Sequence, residues 1–175
     1  MIDFAHNHFE LFGLPVQFRI DDAALDARYR ELQRDVHPDR FAGADDARQR
    51  IAMQASARVN EAYRTLKDPV ERGRYLLALR GIDALAETDT ALALPFLEQQ
   101  LDRREAAAGA RDAGDVDGLE RMLTGLRGET RQREGALAET LDAGDLDAAR
   151  AGVRELKFLQ KVADDIAAMI ETIDG

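Results

Sequence analysis

The sequence contains no cysteine. That excludes disulfides, thiolate zinc sites, thiolate nucleophiles and any iron–sulfur cluster held by the chain's own thiolates, and it suits a reducing compartment. Histidine is scarce: the 3 present are His6 and His8 near the start and His37. Long apolar runs are missing. None is longer than Tyr75 to Leu79, far short of the roughly 20 residues that span a bilayer. The opening residues, MIDFAHNHFELF, lack the basic segment and apolar core of a signal peptide. No glycine-rich phosphate loop occurs. These absences point to a cytoplasmic protein with no metal, no cofactor and no membrane segment.

A basic surface is absent as well. Net charge is −10, which repels nucleic acid and anionic lipid. Through Arg80 there are 13 basic and 13 acidic residues; from Gly81 onward there are 11 and 21, so the whole imbalance lies in the second half. With 45% hydrophobic and 33% charged residues, the chain is expected to be globular.

What is present is helical periodicity, with few strand-like segments. A short first helix is expected over His8 to Phe12, stopped by Gly13-Leu14-Pro15. A second starts at Asp21, a good N-cap, with an apolar face of Leu25, Tyr29, Leu32 and Val36. His37-Pro38 ends it, because the residue before a proline leaves the α region and proline cannot donate to the ladder. A third helix is expected from about Asp45 to Leu66, with the stripe Ile51, Ala55, Val59, Ala62 and Leu66. Paired as an antiparallel hairpin, helices two and three put His37-Pro38-Asp39 at the tip. Asp68-Pro69 reads as an N-cap with proline at the first helical position, opening a short helix through YLLALR that Gly81 terminates.

From Ile82 to Thr90 the pattern fades, which places the domain boundary there: 1–80, a linker 81–94, and 95–175. Three further helices are expected, from near Pro95 to about Asp112, Asp115 to about Asp142, and Asp145 to Ile173. DAGDVDGLE (Asp112 to Glu120) and DAGDLDAAR (Asp142 to Arg150) each read as helix end, glycine turn and aspartate N-cap. Two such corners make an up-down-up three-helix bundle; with only two copies this is preferred to a helical-repeat array. The middle helix carries Gly125, Gly128 and Gly135, each costing about 1 kcal/mol relative to alanine. The last has the core stripe Ala149, Val153, Leu156, Leu159, Ala163, Ile166, Ile170 and Ile173, with Phe158 beside it. Spacing alone makes Leu97 and Leu101 a core pair, with Phe96 as the competing core candidate. The fold class is all-α.

His37 and Asp39, two apart in a turn, could form a catalytic dyad or half a metal site. No nucleophile or further ligand at helical spacing accompanies them, so neither chemistry is expected. The plain alternative is a helix stop with a solvated aspartate. Arg30 and Arg34 are four apart and lie off the apolar face of helix two, forming a basic strip flanked by Arg28 and Arg40, with Glu31 and Asp35 diluting it. Such a strip predicts modest, salt-dependent affinity for an acidic partner.

The ordered series FELFGLP, an arginine-rich amphipathic helix, HPDR, and a helix ending VNEAYRTLKDP resembles a J-domain, the module that stimulates the ATPase of DnaK-class chaperones. The resemblance implies that His37, Pro38 and Asp39, with Arg28, Arg30, Arg34 and Arg40, bind the chaperone's nucleotide-binding domain. Asp39 would compete there for a switch arginine. RGRYLLALRG, FLEQQLDRREA from Phe96 and VRELKFLQKVADDI from Val153 are similar to the HscB-type co-chaperones of iron–sulfur cluster assembly. That resemblance implies an IscU-like scaffold partner bound by Leu97, Leu101, Asp102, Arg104, Glu105 and Phe158, and delivery to an HscA-like chaperone. Two residues depart from the family's patch: Glu98 stands where a methionine is usual, and Arg103 where a leucine is. On this reading the chain is a monomeric adaptor, not an enzyme, with its cluster ligands supplied by the partner. The alternatives are a J-protein with a different client and a non-enzymatic helical scaffold with an incidental HPD.

Overall fold

The structure, a computed structural model, describes residues 3–41, 43, 45–86 and 92–174, without the side chains of Pro38 and Asp174. Every element among the described residues is helical, as the periodicity predicts. The chain divides into two compact units, Met1–Leu79 and Arg80–Gly175.

The first unit contains α1 (His8–Phe12), α2 (Asp22–Val36), a short 3-10 helix (Pro38–Phe41), α3 (Asp46–Lys67) and α4 (Pro69–Ala78). Each α-helix starts on an Asx cap. Asn7 and Glu10 form a reciprocal capping box on α1. Asp21, Asp45 and Asp68 accept from the first-turn N–H groups of α2, α3 and α4. Gly13, at φ 65°, closes α1 in the left-handed conformation that glycine adopts without strain. Phe9, Leu25, Val59, Leu66 and Leu77 are fully buried at the centre, each of the large ones worth about 1.5–3 kcal/mol.

A polar seam joins α2 to α3. The Tyr29 and Tyr63 rings stack at 4.0 Å. Asp26 accepts from Tyr63 Oη at 2.9 Å and from Lys67 Nζ at 2.9 and 3.0 Å. These hydrogen bonds, that of Lys67 first, hold the Asp26 carboxyl below its ordinary range. Tyr29 Oη donates to Asn60 Oδ1 at 2.8 Å.

Two expectations need correction here. The α3 stripe begins at the buried Ala52, while Ile51 is 47% exposed. Both residues are one turn from Ala55, so spacing cannot choose between them. Helix α4 stops at Ala78 rather than running through Arg80, and the following turn passes through Gly81 at φ 79°.

The second unit is built from α5 (Leu94–Asp112), α6 (Val116–Ala143) and α7 (Leu146–Asp174). Both corners turn through glycine at positive φ, Gly114 and Gly144, and restart on aspartate. Asp115 accepts from Gly118 N–H at 2.8 Å and Asp145 from Ala148 N–H at 3.1 Å. Phe96, Ala107, Leu119, Leu126, Leu159, Val162 and Ile166 form one buried cluster. Val162, not Ala163, takes the inner position on α7; Ala163 is only partly buried. Of the segment read as a linker, residues 87–91 lie outside the described residues. Its earlier part packs within this unit: Ala84 is fully buried and its carbonyl accepts from Arg154 Nε at 2.9 Å.

Candidate functional site

The first candidate surface is the end of the α2–α3 hairpin. The backbone of His37 is extended (φ −59°, ψ 127°), so α2 stops there. The His37 and Asp39 side chains are 54% and 90% exposed, and the Pro38 side chain lies outside the described part. Asp39 N–H donates to His37 Nδ1 at 3.3 Å. With Nδ1 accepting, the neutral ring carries its proton on Nε2, which is then available to donate to a partner. Among the described residues, the Asp39 carboxylate has an ion-pair contact with His37 at 3.6 Å.

The basic residues do not behave alike. Arg40 folds back: Nη1 donates to the Arg34 carbonyl at 3.1 Å and to Asp35 Oδ1 at 3.2 Å. Its charge thereby caps the C-terminal end of α2, where a cation opposes the helix dipole. Arg28 pairs with Glu31 at 2.8 Å. Arg30 and Arg34 are exposed, and neither makes an ion pair among the described residues. The strip predicted from spacing is thus two available cations, with Arg40 spent on the tip's own geometry and Arg28 shared. Nothing in the sequence marks the Arg40 cap, since it closes across the proline.

The second candidate surface lies on α5 and α7. Leu101 is 60% exposed and Leu97 is half-buried, whereas Phe96 and Gln100 are buried. The core-pair reading of Leu97 and Leu101 is therefore overturned: the competing Phe96 faces inward, which turns Leu97 and Leu101 outward on the adjoining face. Arg104 and Glu105 continue the same face and are exposed; Asp102 is exposed further round the helix. Phe158 is half-buried rather than open. Its ring meets Phe96 edge-on at 5.7 Å and 79°, and the Arg104 guanidinium lies 5.2 Å from its centroid. Leu97, Leu101, Arg104 and Glu105 thus share one face of α5, and Arg104 covers Phe158 of α7.

The two departures from the family pattern have different consequences. Glu98 is exposed. Arg103 turns away from the patch and donates to Glu129 Oε2 on α6 at 2.6 Å and to Gln100. A shallow groove continues past Arg104 between α5 and α7, over Ala107, Val162, Ile166 and Met169.

No group of three or more histidine or acidic residues suited to a metal ion occurs among the described residues. Among the described residues, no helix is long and apolar enough to cross a membrane.

Comparison with known proteins follows the same division. A family model described as the DnaJ domain matches residues 7–75, and one described as the HSCB C-terminal oligomerisation domain matches residues 94–167. The "Co-chaperone protein HscB homolog" of Burkholderia multivorans is 50% identical over 174 residues, covering 99% of both chains. That of Ralstonia nicotianae is 52% identical over 168 residues, covering 95% of this chain and 96% of the relative. Among solved structures, chaperone HscB from Vibrio cholerae superposes with a TM-score of 0.85 at 34% identity, covering 96% of this chain and 99% of the other. Human co-chaperone HscB gives 0.87 at 26% identity, covering 95% and 83%.

Proposed function

The chain belongs to the HscB family of J-domain co-chaperones, and from that premise we propose that it binds an IscU-like iron–sulfur scaffold, carries it to an HscA-like chaperone of the DnaK class, and triggers that chaperone's ATPase. The family consists of co-chaperones, not enzymes; hydrolysis belongs to the partner. The carrying observation is Asp39, 90% exposed at the end of the hairpin beside the exposed Arg30 and Arg34. A carboxylate so placed can compete for an arginine on the nucleotide-binding domain, while the two cations steer the encounter and make it salt-dependent.

The scaffold docks on Leu97, Leu101, Asp102, Arg104, Glu105 and Phe158. An apolar centre with a charged rim is the usual anatomy of a specific interface. Because one chain engages both partners, binding the scaffold raises its effective concentration at the chaperone without any change of shape. The protein acts in the cytoplasm, as a monomer; sedimentation over rising concentration checks the latter, since the matched C-terminal domain is named for oligomerisation.

The test is a titration of the protein into chaperone ATPase assays with and without the purified scaffold. Stimulation alone, with no scaffold effect, leaves a J-protein serving another client. No stimulation overturns the assignment.

A further inference from the structure

Helix α6 supplies none of the residues of the proposed scaffold patch, yet one of its side chains contacts the Phe96 ring beneath it. The Arg133 guanidinium lies 4.7 Å from the centroid of Phe96, and Phe96 is the ring that meets Phe158 edge-on. Arg133 is itself held from two sides. Its Nε donates to Glu129 Oε1 at 3.1 Å and its Nη1 donates to Glu155 of α7. Glu129 in turn accepts from Arg103 of α5 at 2.6 Å. Cations and anions therefore alternate, Arg103–Glu129–Arg133–Glu155, across all three helices. The four side chains are 16%, 17%, 26% and 20% exposed, enough burial to weaken screening by salt.

Two carboxylates on different edges of one guanidinium fix its plane as well as its place. The face presented to Phe96 is then fixed, and Phe96 cannot rotate without losing that contact. Phe158 packs against Phe96 with the two ring planes at 79°, so its ring inherits the orientation. We propose that Arg133 is a positioning residue for scaffold docking: through Phe96 it sets the ring of Phe158, although it does not touch the partner. This rests on the reading that the scaffold docks on Phe158. A simple stabilising ion pair is the competing role, and lysine separates the two. Arg133→Lys keeps a cation between Glu129 and Glu155 but removes the planar face from Phe96.

The experiment is a double-mutant cycle on the full chain, with affinity for the purified, cluster-free scaffold measured by calorimetry. Thermal melts control for folding. Phe158→Leu is the second substitution, because it keeps an apolar contact and leaves binding measurable. Arg133→Lys is expected to weaken scaffold binding about 5-fold in the native background and less than about 2-fold in the Phe158→Leu background. Without scaffold, it is expected to shift the Phe158 ring resonances by NMR. Unchanged affinity, or an equal loss in both backgrounds, overturns the proposal. If the unsubstituted protein binds no scaffold, the docking reading falls, and the positioning role falls with it. The Phe158 resonances then tell whether the ring coupling itself exists.

Discussion

The two units solve opposite problems. The first is nearly neutral, at −1, and ends in an exposed polar tip; the second carries −9 of the net −10 and exposes an apolar patch around Leu101. In the first, the candidate site is contiguous: Arg34, Asp35, His37, Asp39 and Arg40 contact one another within a single turn and its flank. In the second, Leu101 and Arg104 come from α5, Phe158 from α7, and the support from α6. A local site depends on one or two atoms and fails all at once. An assembled site spreads its free energy over several side chains and fails by degrees.

The sharpest break in that comparison is Asp39→Asn. The side chain is 90% exposed, so the melt should be unchanged while ATPase stimulation falls to the chaperone's basal rate. A variant that still stimulates fully would remove the trigger from this loop. The matching change in the second unit is Leu101→Ala with Phe158→Ala. Loss of two central apolar contacts should weaken scaffold binding by about 10- to 100-fold while leaving stimulation without scaffold intact. Each single change should cost clearly less than the pair. If either alone abolished binding, the patch would be no more distributed than the tip.

The same contrast explains what could be read before any coordinates. Caps, helix order and the tip follow from local chemistry: Asp21, Asp68-Pro69, His37-Pro38 and the two Asp-Ala-Gly-Asp corners each act within a few residues. Positions that depend on which face turns inward were not legible. Ile51 against Ala52, Ala163 against Val162, and Leu97 with Leu101 against Phe96 with Gln100 are choices between neighbours on one helical surface. Packing by other helices decides them. The resemblance assigned Leu97 and Leu101 to a surface patch where spacing favoured a core. The Arg133–Phe96–Phe158 contacts leave no sequence signal, because they join three helices.

Acid should separate the units next. His8 is buried, 4% exposed, against the Tyr75 ring at 4.1 Å. Burial first, and the positive charge of Arg58 second, lower its pKa from 6.5 to about 4. The folded state thus binds this proton less readily than the unfolded one. The stability His8 contributes is complete above pH 6.5 and is lost as pH falls toward 4. By pH 5 the first unit should have lost about 2 kcal/mol. Asp26, whose pKa is also lowered, adds a loss of the same sign only below the ordinary carboxylate range. Hydrogen exchange at pH 5 should therefore show α1 and α4 opening while α6 and α7 keep their protection. His8→Phe should abolish that difference; persistence of the pH effect in the variant would assign it elsewhere.

The smallest effect concerns the glycines of α6, and it has two signs. A Cβ placed on Gly125, Gly128 or Gly135 meets nothing within 4 Å, so alanine adds helix propensity without strain and should stabilise the second unit by about 1 kcal/mol per site. At Gly118 a Cβ would come within 2.2 Å of Asp115 Oδ2, the carboxylate whose partner oxygen caps α6 by accepting from Gly118 N–H. Alanine there must push the cap aside and should cost about 1 kcal/mol. Urea melts of the four single variants test this directly. Equal effects at all four positions would mean that backbone entropy alone decides and that the cap contributes nothing. Opposite signs would show that one glycine of α6 serves the corner while the other three only loosen the helix that holds Arg133.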